Sequence, residues 1–213
     1  MRLTHFGHSC VLVETGDAQL LIDPGAFSEG FERLEQLDAV LITHKDFDHF
    51  VPDTIDALMR ANTQATLVVE PATADEVPES VDAARRQVVS SGETFSIADV
   101  EIQTVGGRHA TIHPEVERIP NVGFYFPASG LLHPGDEFVQ PSANVEILAL
   151  PISGPWLSLA DAVEYLRAID PAVAFPIHEA LHSRPAVYYK YVDALKPPQT
   201  SFQILEHSSP TEL

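Results

Sequence analysis

Residues 42–50 read Ile42-Thr43-His44-Lys45-Asp46-Phe47-Asp48-His49-Phe50, or ITHKDFDHF. Two imidazoles and two carboxylates, at His44, Asp46, Asp48 and His49, fall within six positions immediately after the apolar run DAVLIT (Asp38–Thr43). A continuous apolar run of this length predicts a strand buried on both faces. The polar cluster then sits at the strand's end, where it is either a solvated loop or a set of metal ligands. Its neighbours decide between the two.

Outward from this stretch, the pattern predicts many short strands and few helices. CVLVET and AQLLID flank Gly16-Asp17 and read as a hairpin with a primed turn, and further strands are expected at ATLVVE, VEIQTV, NVGFYF, GLLH, VEILAL and AVAFPI. Pro52 suits the first turn of a helix through DTIDALMR. Ser158 and Asp161 form a candidate capping box before LADAVEYLRAI, and a last helix is expected over PAVYYKYVDAL. Strands with interspersed helices in this order fit two sheets packed face to face with helices outside, better than a strictly alternating βαβ fold. The 213 residues read as one domain, residues 1–213, with residues 207–213 (HSSPTEL) expected to fray.

Placed on this map, the histidines become informative. His44 follows DAVLIT, His109 follows VEIQTV, His178 ends AVAFPI, and Asp136 comes three residues after GLLH. Four strands therefore finish in a potential ligand, at the kind of sheet edge where side chains converge without disturbing a core. Imidazole and carboxylate together suit first-row divalent metals, and a bridging carboxylate lets two ions share an activated water. The expected arrangement gives one ion to His44, Asp46 and His109 and a second to Asp48, His49 and His178, with Asp136 bridging.

The same residues carry a family resemblance. THKDFDH resembles the THxHxDH signature of the metallo-β-lactamase-fold hydrolases, and HSC, LLIDPG, VGGRHATIHP, LLHPGDEF and FPIHEA follow the family order. The pattern is most similar to the compact branch that includes L-ascorbate-6-phosphate lactonase, and it runs from about Arg2 to the last helix. The resemblance implies an αβ/βα four-layer sandwich with two packed mixed β-sheets. It also implies one or two divalent ions (Zn, Mn or Fe) at one edge and hydrolysis of a small molecule by a metal-activated hydroxide. Ligand roles carry over to His44, Asp48, His49, His109, Asp136 and His178. Asp48 and His133 are the expected catalytic groups.

Asp46 departs from the signature, standing where the family has its second histidine. Two divalent ions give +4, three carboxylates −3 and a hydroxide −1, so the centre would be neutral, and more oxygen shifts preference from zinc toward manganese or iron. If Asp46 fails to reach, the site is impaired and the chain is a non-catalytic binding protein on the same fold. Asp23, in LIDPG, either hydrogen-bonds a ligand imidazole or caps the turn at Pro24-Gly25. His8 and His113 are outer groups or simply satisfied by backbone. Trp156 walls a substrate pocket or packs its loop. Lys45 and Arg108 meet an anionic substrate group or lie in solvent.

Composition narrows the partners. Twelve Lys+Arg against 31 Asp+Glu give a formal net charge of −19, which argues against nucleic acid and anionic membrane surfaces but allows an anionic small substrate beside a metal. The acidic balance disfavours the nucleases of the superfamily, whose added domains also need more chain. Neither the flavin domain of the oxygen-reducing branch nor the C-terminal helical domain of a glyoxalase-II-like thioesterase is expected from the residues after His178. The single Cys10 offers no internal disulfide, and neither an apolar leader nor a bilayer-length run is seen, so a cytoplasmic protein is expected.

Overall fold

The chain's first structural unit is the hairpin of β2 (Val11–Thr15) and β3 (Ala18–Ile22), joined through Gly16 and Asp17. Gly16 sits at φ +59°, the sign that primed hairpin turns require. The structure is a computed structural model that describes residues 1–213. β1 (Arg2–His5) lies antiparallel to β2, while β4 (Ala39–Leu41), β5 (Thr66–Val69) and β6 (Arg86–Val88) continue from β3 in parallel. A second sheet contains β7 (Thr94–Ile97), β8 (Val100–Gly106), β9 (Val122–Phe126), β10 (Leu131–His133), β11 (Ile147–Pro151), β12 (Val173–Ile177) and β13 (Ser201–Phe202). It is antiparallel from β7 to β10 and parallel from β10 to β13. The first sheet is completed by β14 (Thr211–Glu212), and each mixed sheet has seven strands.

Strand alternation sorts the apolar residues into three buried layers. Val11, Val13, Leu20, Ile22, Ala39, Leu41 and Val68 face Ile102, Phe124, Phe126, Ala149, Phe175 and Ile177 across the two sheets. Their alternates Leu12, Leu21, Val40, Leu67 and Val69 face the other way, toward Ile55, Leu58 and Met59 of α1 (Pro52–Ala61). On the far side, Leu148, Leu150 and Ala174 pack against Val163 and Leu166 of α3 (Leu159–Ile169) and Val192 of α4 (Ala186–Leu195). The short α2 (Pro71–Ala74) follows β5. Three apolar interfaces separate four layers, helix–sheet–sheet–helix, as expected for the sandwich. Period-two patterning generates this directly, since every buried strand supplies both of its faces.

Both helix starts behave as their sequences predict. Pro52 occupies the first turn of α1, and Ser158 and Asp161 close a reciprocal capping box on α3. The terminal segment does not fray. Residues Thr211 and Glu212 pair with Leu3 and Arg2, Leu213 N donates to Met1 O at 3.0 Å, and Leu205 is buried. The outer edge of β1 carries backbone groups that need partners, and the returning chain provides them. Fraying was expected of residues 207–213 as a chain terminus, and the unpaired edge of β1 pairs them instead.

The C-terminal ends of β3, β4, β8, β10 and β12 all lead into residues singled out above: Asp23, His44, His109, Asp136 and His178. At this edge the sheets are also tied together, with Val122 N donating to Thr43 O at 2.9 Å.

Candidate metal centre

The loop after β4 packs directly on the LIDPG loop after β3. A Cβ on Gly25 would lie 1.9 Å from the carbonyl oxygen of Asp48, so only glycine permits this approach. The polar loop itself is a single tight turn, in which the N–H groups of His49 and Phe50 both donate to Asp46 O at 2.8 Å. His44 and His49 are thereby buried, while the Asp46 and Asp48 carboxylates stay partly open at 42% and 15% exposure.

The Pro134–Asp136 turn enters from the opposite sheet. Asn121 accepts from Asp136 N through Oδ1 at 3.1 Å and donates to Pro134 O through Nδ2 at 3.1 Å. Gly135, at φ +61°, leaves room for Asn121 and Thr43, which a Cβ would meet at 2.3 and 2.8 Å. His178 and His8 are joined backbone to backbone, His178 N donating to His8 O at 3.0 Å, and His8 N donates to Glu179 Oε1 at 2.8 Å. His8, Asp23 and His178 all adopt positive φ, at +52°, +48° and +68°. Such strain in non-glycine residues concentrates where a fold must present specific side chains.

His44, Asp46, Asp48, His49, His109, Asp136 and His178 thus meet at one edge. Asp136 is the centre: its Oδ1 lies 2.7 Å from His178 Nε2 and 3.1 Å from His49 Nε2, and its Oδ2 lies 3.2 Å from His109 Nε2. Two groups of potential ligands form around it, His44 with His109 and Asp136, and His8 with Asp48, His49 and His178. Within each, the donor atoms all lie within 4.8 Å of one another. Asp46 Oδ2 is 3.7 Å from His44 Nε2 and 3.8 Å from His109 Nε2. Ligands on one ion at bonds of about 2.0–2.2 Å stand at most about 4.4 Å apart, and both separations fall inside that limit, although Asp46 is not within 4.8 Å of every member of the His44–His109–Asp136 group.

The tautomers test whether a cation fits. His49 Nδ1 is 2.8 Å from Asp23 Oδ2, His109 Nδ1 is 2.6 Å from Ala110 O, and His44 Nδ1 is 2.9 Å from Thr43 Oγ1, which itself donates to Asp23 Oδ2. With each Nδ1 donating outward, each Nε2 turns a lone pair inward, toward the Asp136 carboxylate or its neighbours. His44 Nε2, His49 Nε2, both ring nitrogens of His178 and Asp136 Oδ1 are buried without a hydrogen-bond partner. Of these, Asp136 Oδ1, His178 Nε2 and His49 Nε2 crowd one another at 2.7 and 3.1 Å without a well-formed hydrogen bond, while His44 Nε2 and His178 Nδ1 face no partner. Buried polar atoms so placed cost about 1–3 kcal/mol each when left unpaired, and the cluster calls for a ligand. The donor set suits divalent ions.

Electrostatics agree. Burial, the largest influence, pushes the His44 imidazole down to about 3 and His8 down to about 4, so both stay neutral and able to coordinate. Burial also opposes the charge on Asp48, but the His8 hydrogen bond and His49 outweigh it and hold the carboxyl below its usual range. Asp136 is likewise held low, against burial, by His178 and His49. His49 and His109 move up despite burial because Asp136 draws a proton to each. A proton relieves one such approach at a time, whereas a cation relieves them together. Burial lifts the Asp46 carboxyl above its ordinary value, with His109 pulling the other way.

Several residues around the ligands resolve as supports. Asp23 is fully buried and accepts from Thr43 N at 2.8 Å as well as from Thr43 Oγ1 and His49, so of its two readings it orients a ligand imidazole. Replacing Asp23 by asparagine keeps the volume but loses charge and one acceptor; metal affinity should fall about 10–100-fold, as measured by competition with a chelating dye. His133 turns away from the centre: Nε2 donates to Ser9 O at 2.9 Å and Nδ1 accepts from Gly135 N at 3.4 Å. Both nitrogens are committed within the protein. His8 Nε2 lies 3.0 Å from Asp48 Oδ2 and its ring lies 4.3 Å from that of His178, a role that sequence spacing could not rank above an ordinary buried histidine. Trp156 Nε1 donates to Asp136 Oδ2 at 2.8 Å and the indole lines a cavity of about 340 Å³ over the centre. Lys45 pairs with Glu76 at 2.7 Å, and His113 Nδ1 accepts from Glu115 N at 3.2 Å.

Comparison with known proteins places this geometry in a family. The model of the beta-lactamase superfamily domain matches residues 2–178. Protein Rv0786c of Mycobacterium tuberculosis is 40% identical over 215 residues, covering 98% of each chain. A UPF0173 metal-dependent hydrolase of Aeropyrum pernix is 24% identical over 216 residues, covering 90% of this chain and 89% of its own. Among solved structures, Igni18, a metallo hydrolase from Ignicoccus hospitalis, superposes with a TM-score of 0.75 at 19% identity, covering 100% of this chain and 98% of its own. The sandwich and the order of its motifs therefore have one origin, and the chain belongs to the beta-lactamase superfamily.

Proposed function

We propose that this protein is a metal-dependent hydrolase of a small molecule, with the ligand residues in two sets that share Asp136. His44, Asp46 and His109 would hold one ion, and Asp48, His49 and His178 would hold a second. Bound divalent ions (Zn, Mn or Fe) supply Lewis acidity and an activated water. The protein's own contribution is position. Asp23 and Thr43 fix the His44 and His49 rings, Trp156 orients the Asp136 carboxylate, and His8 holds Asp48 in its ionised form. His133 supports the Pro134–Asp136 turn.

The observation that carries this reading is the convergence of buried imidazole nitrogens from the loops after β4, β8 and β12 on the Asp136 carboxylate, which enters from the loop after β10. The 3.7 and 3.8 Å approaches of Asp46 also weaken the case for a non-catalytic relative, because that case rested on Asp46 failing to reach. No helix is long and apolar enough to cross a membrane, and the acidic chain with its single buried Cys10 suits a cytoplasmic enzyme. The test is metal analysis of the purified protein together with turnover on a lactone, a carboxylic ester, a phosphodiester and a thioester, with manganese, iron and zinc supplied separately. Bound metal and metal-dependent turnover are expected. A folded protein that takes up no metal and turns over none of these overturns the proposal.

A further inference from the structure

The cavity above the proposed centre has a polar floor and an apolar rim. Asp46, Asp48, His109 and Asp136 form the floor, while Phe27, Phe47, Ile112, Trp156 and Leu181 form the wall. Four of these wall residues are exposed: Phe27 by 38%, Phe47 by 61%, Ile112 by 40% and Leu181 by 43%. An isolated exposed apolar side chain needs no explanation, but several gathered around one concave site do. They come from four different loops, so local sequence patterning does not account for the cluster. Phe27 and Phe47 meet edge to face, with centroids 5.1 Å apart, across the mouth. A volume of about 340 Å³ is at the small end for a ligand site.

The charge around this wall is as informative as its apolarity. No lysine or arginine lines the cavity. Lys45 is paired with Glu76. Arg118, beside a smaller adjoining cleft, donates to the carbonyls of His109 and Arg108 at 2.6 and 3.2 Å. Recognition of phosphate or carboxylate ordinarily uses a cationic fork or point charge, and the cavity lining holds neither. Three floor carboxylates also offset most of the charge that two divalent ions would bring.

Resting on the metal-dependent hydrolase reading, we infer that the substrate is a neutral, largely apolar ester or lactone. Its carbonyl lies toward the Asp46–Asp136 floor, and its hydrocarbon arm lies along Phe27, Phe47, Ile112 and Leu181. In the reaction a water oxygen bonds to the acyl carbon, the bond from that carbon to the alkoxy oxygen breaks, and the leaving oxygen takes a proton. The products are an acid and an alcohol, or one hydroxy acid from a lactone. A substrate bearing phosphate, of the kind the lactonase resemblance suggests, finds no counter-charge at this wall.

The test has a catalytic arm and a binding arm. With metal-loaded full-length protein, kcat/KM for p-nitrophenyl acetate, butyrate and hexanoate should rise about threefold per methylene as apolar area is buried. The p-nitrophenyl half-ester of adipic acid, comparable in length but anionic, should be at least about tenfold poorer than the hexanoate. For binding, Trp156 is the single tryptophan of the chain, and its emission should respond to methyl ketones of increasing length, which cannot be hydrolysed. Leu181→Ser and Ile112→Ser should flatten both length dependences while metal content stays at the wild-type level. Indifference to chain length, or preference for the anionic ester, overturns the inference and leaves the hydrolase reading intact. Length-dependent ketone binding with no ester or lactone turnover also overturns the inference, while the hydrolase reading then stands or falls on metal uptake and on the phosphodiester and thioester.

Discussion

Replacing Asp136 by alanine is expected to strip metal from the protein and lower kcat/KM by about 10³-fold or more, while leaving a folded chain. Its two oxygens stand within 2.7–3.2 Å of three imidazoles, one each from the loops after β4, β8 and β12. Removing it would therefore loosen both proposed ion positions together, and with them the water activation that bound ions would supply. The buried imidazoles also lose their counter-charge, a cost on the order of 3 kcal/mol. A domain stabilised by roughly 5–15 kcal/mol tolerates that loss. Stability here resides in three apolar layers that do not include Asp136. Far-ultraviolet circular dichroism, metal analysis and turnover measured on one preparation separate the outcomes. Global unfolding of the variant would make the metal structural and not catalytic.

A second large effect is expected at Asp46. Its carboxylate lies 3.7 and 3.8 Å from the Nε2 atoms of His44 and His109, close enough to share an ion with them. Asp46→His removes one negative charge and supplies a softer donor. It should tighten zinc binding about tenfold or more and shift preference away from manganese and iron. The rising limb of the pH–rate profile should move to lower pH, since a centre with less negative protein charge favours deprotonation of a water held there. Asp46→Ala should weaken the ion shared with His44 and His109 while sparing the one near Asp48, His49 and His178. Equal metal affinity in wild type and both variants would make Asp46 a bystander.

Much of this was legible in the sequence because each layer follows from a short-range rule. Alternation in VLVET and AQLLI, and continuous apolarity in DAVLIT, place the strands. Pro52 and the Ser158–Asp161 box start two helices as expected. The candidate ligands were readable because each follows an apolar run, so strand ends could be aligned without coordinates. What escaped was set by tertiary pairing. β7 and β6 are short and polar-rich, and β14 exists only because β1 leaves an edge to cover. His8 and His133 look alike in sequence, each near a motif, yet the β1–β2 turn brings one to Asp48 and leaves the other bonded to Ser9. Trp156 could be read as packing or as pocket, and its bond to Asp136 required the loops after β10 and β11, neighbouring strands of the second sheet, to meet. The apolar rim is a still longer-range property, assembled from loops far apart in sequence.

Two ions are expected around Asp136 at this one sheet edge, and anomalous diffraction at the absorption edge of the bound metal would locate them. Two peaks about 3.5–4 Å apart are predicted, one among His44, Asp46 and His109 and the other among Asp48, His49 and His178, with the Asp136 carboxylate between them. Anomalous density found only elsewhere on the molecule, for instance at the separate cluster of His5, Glu179 and His207, would contradict the account.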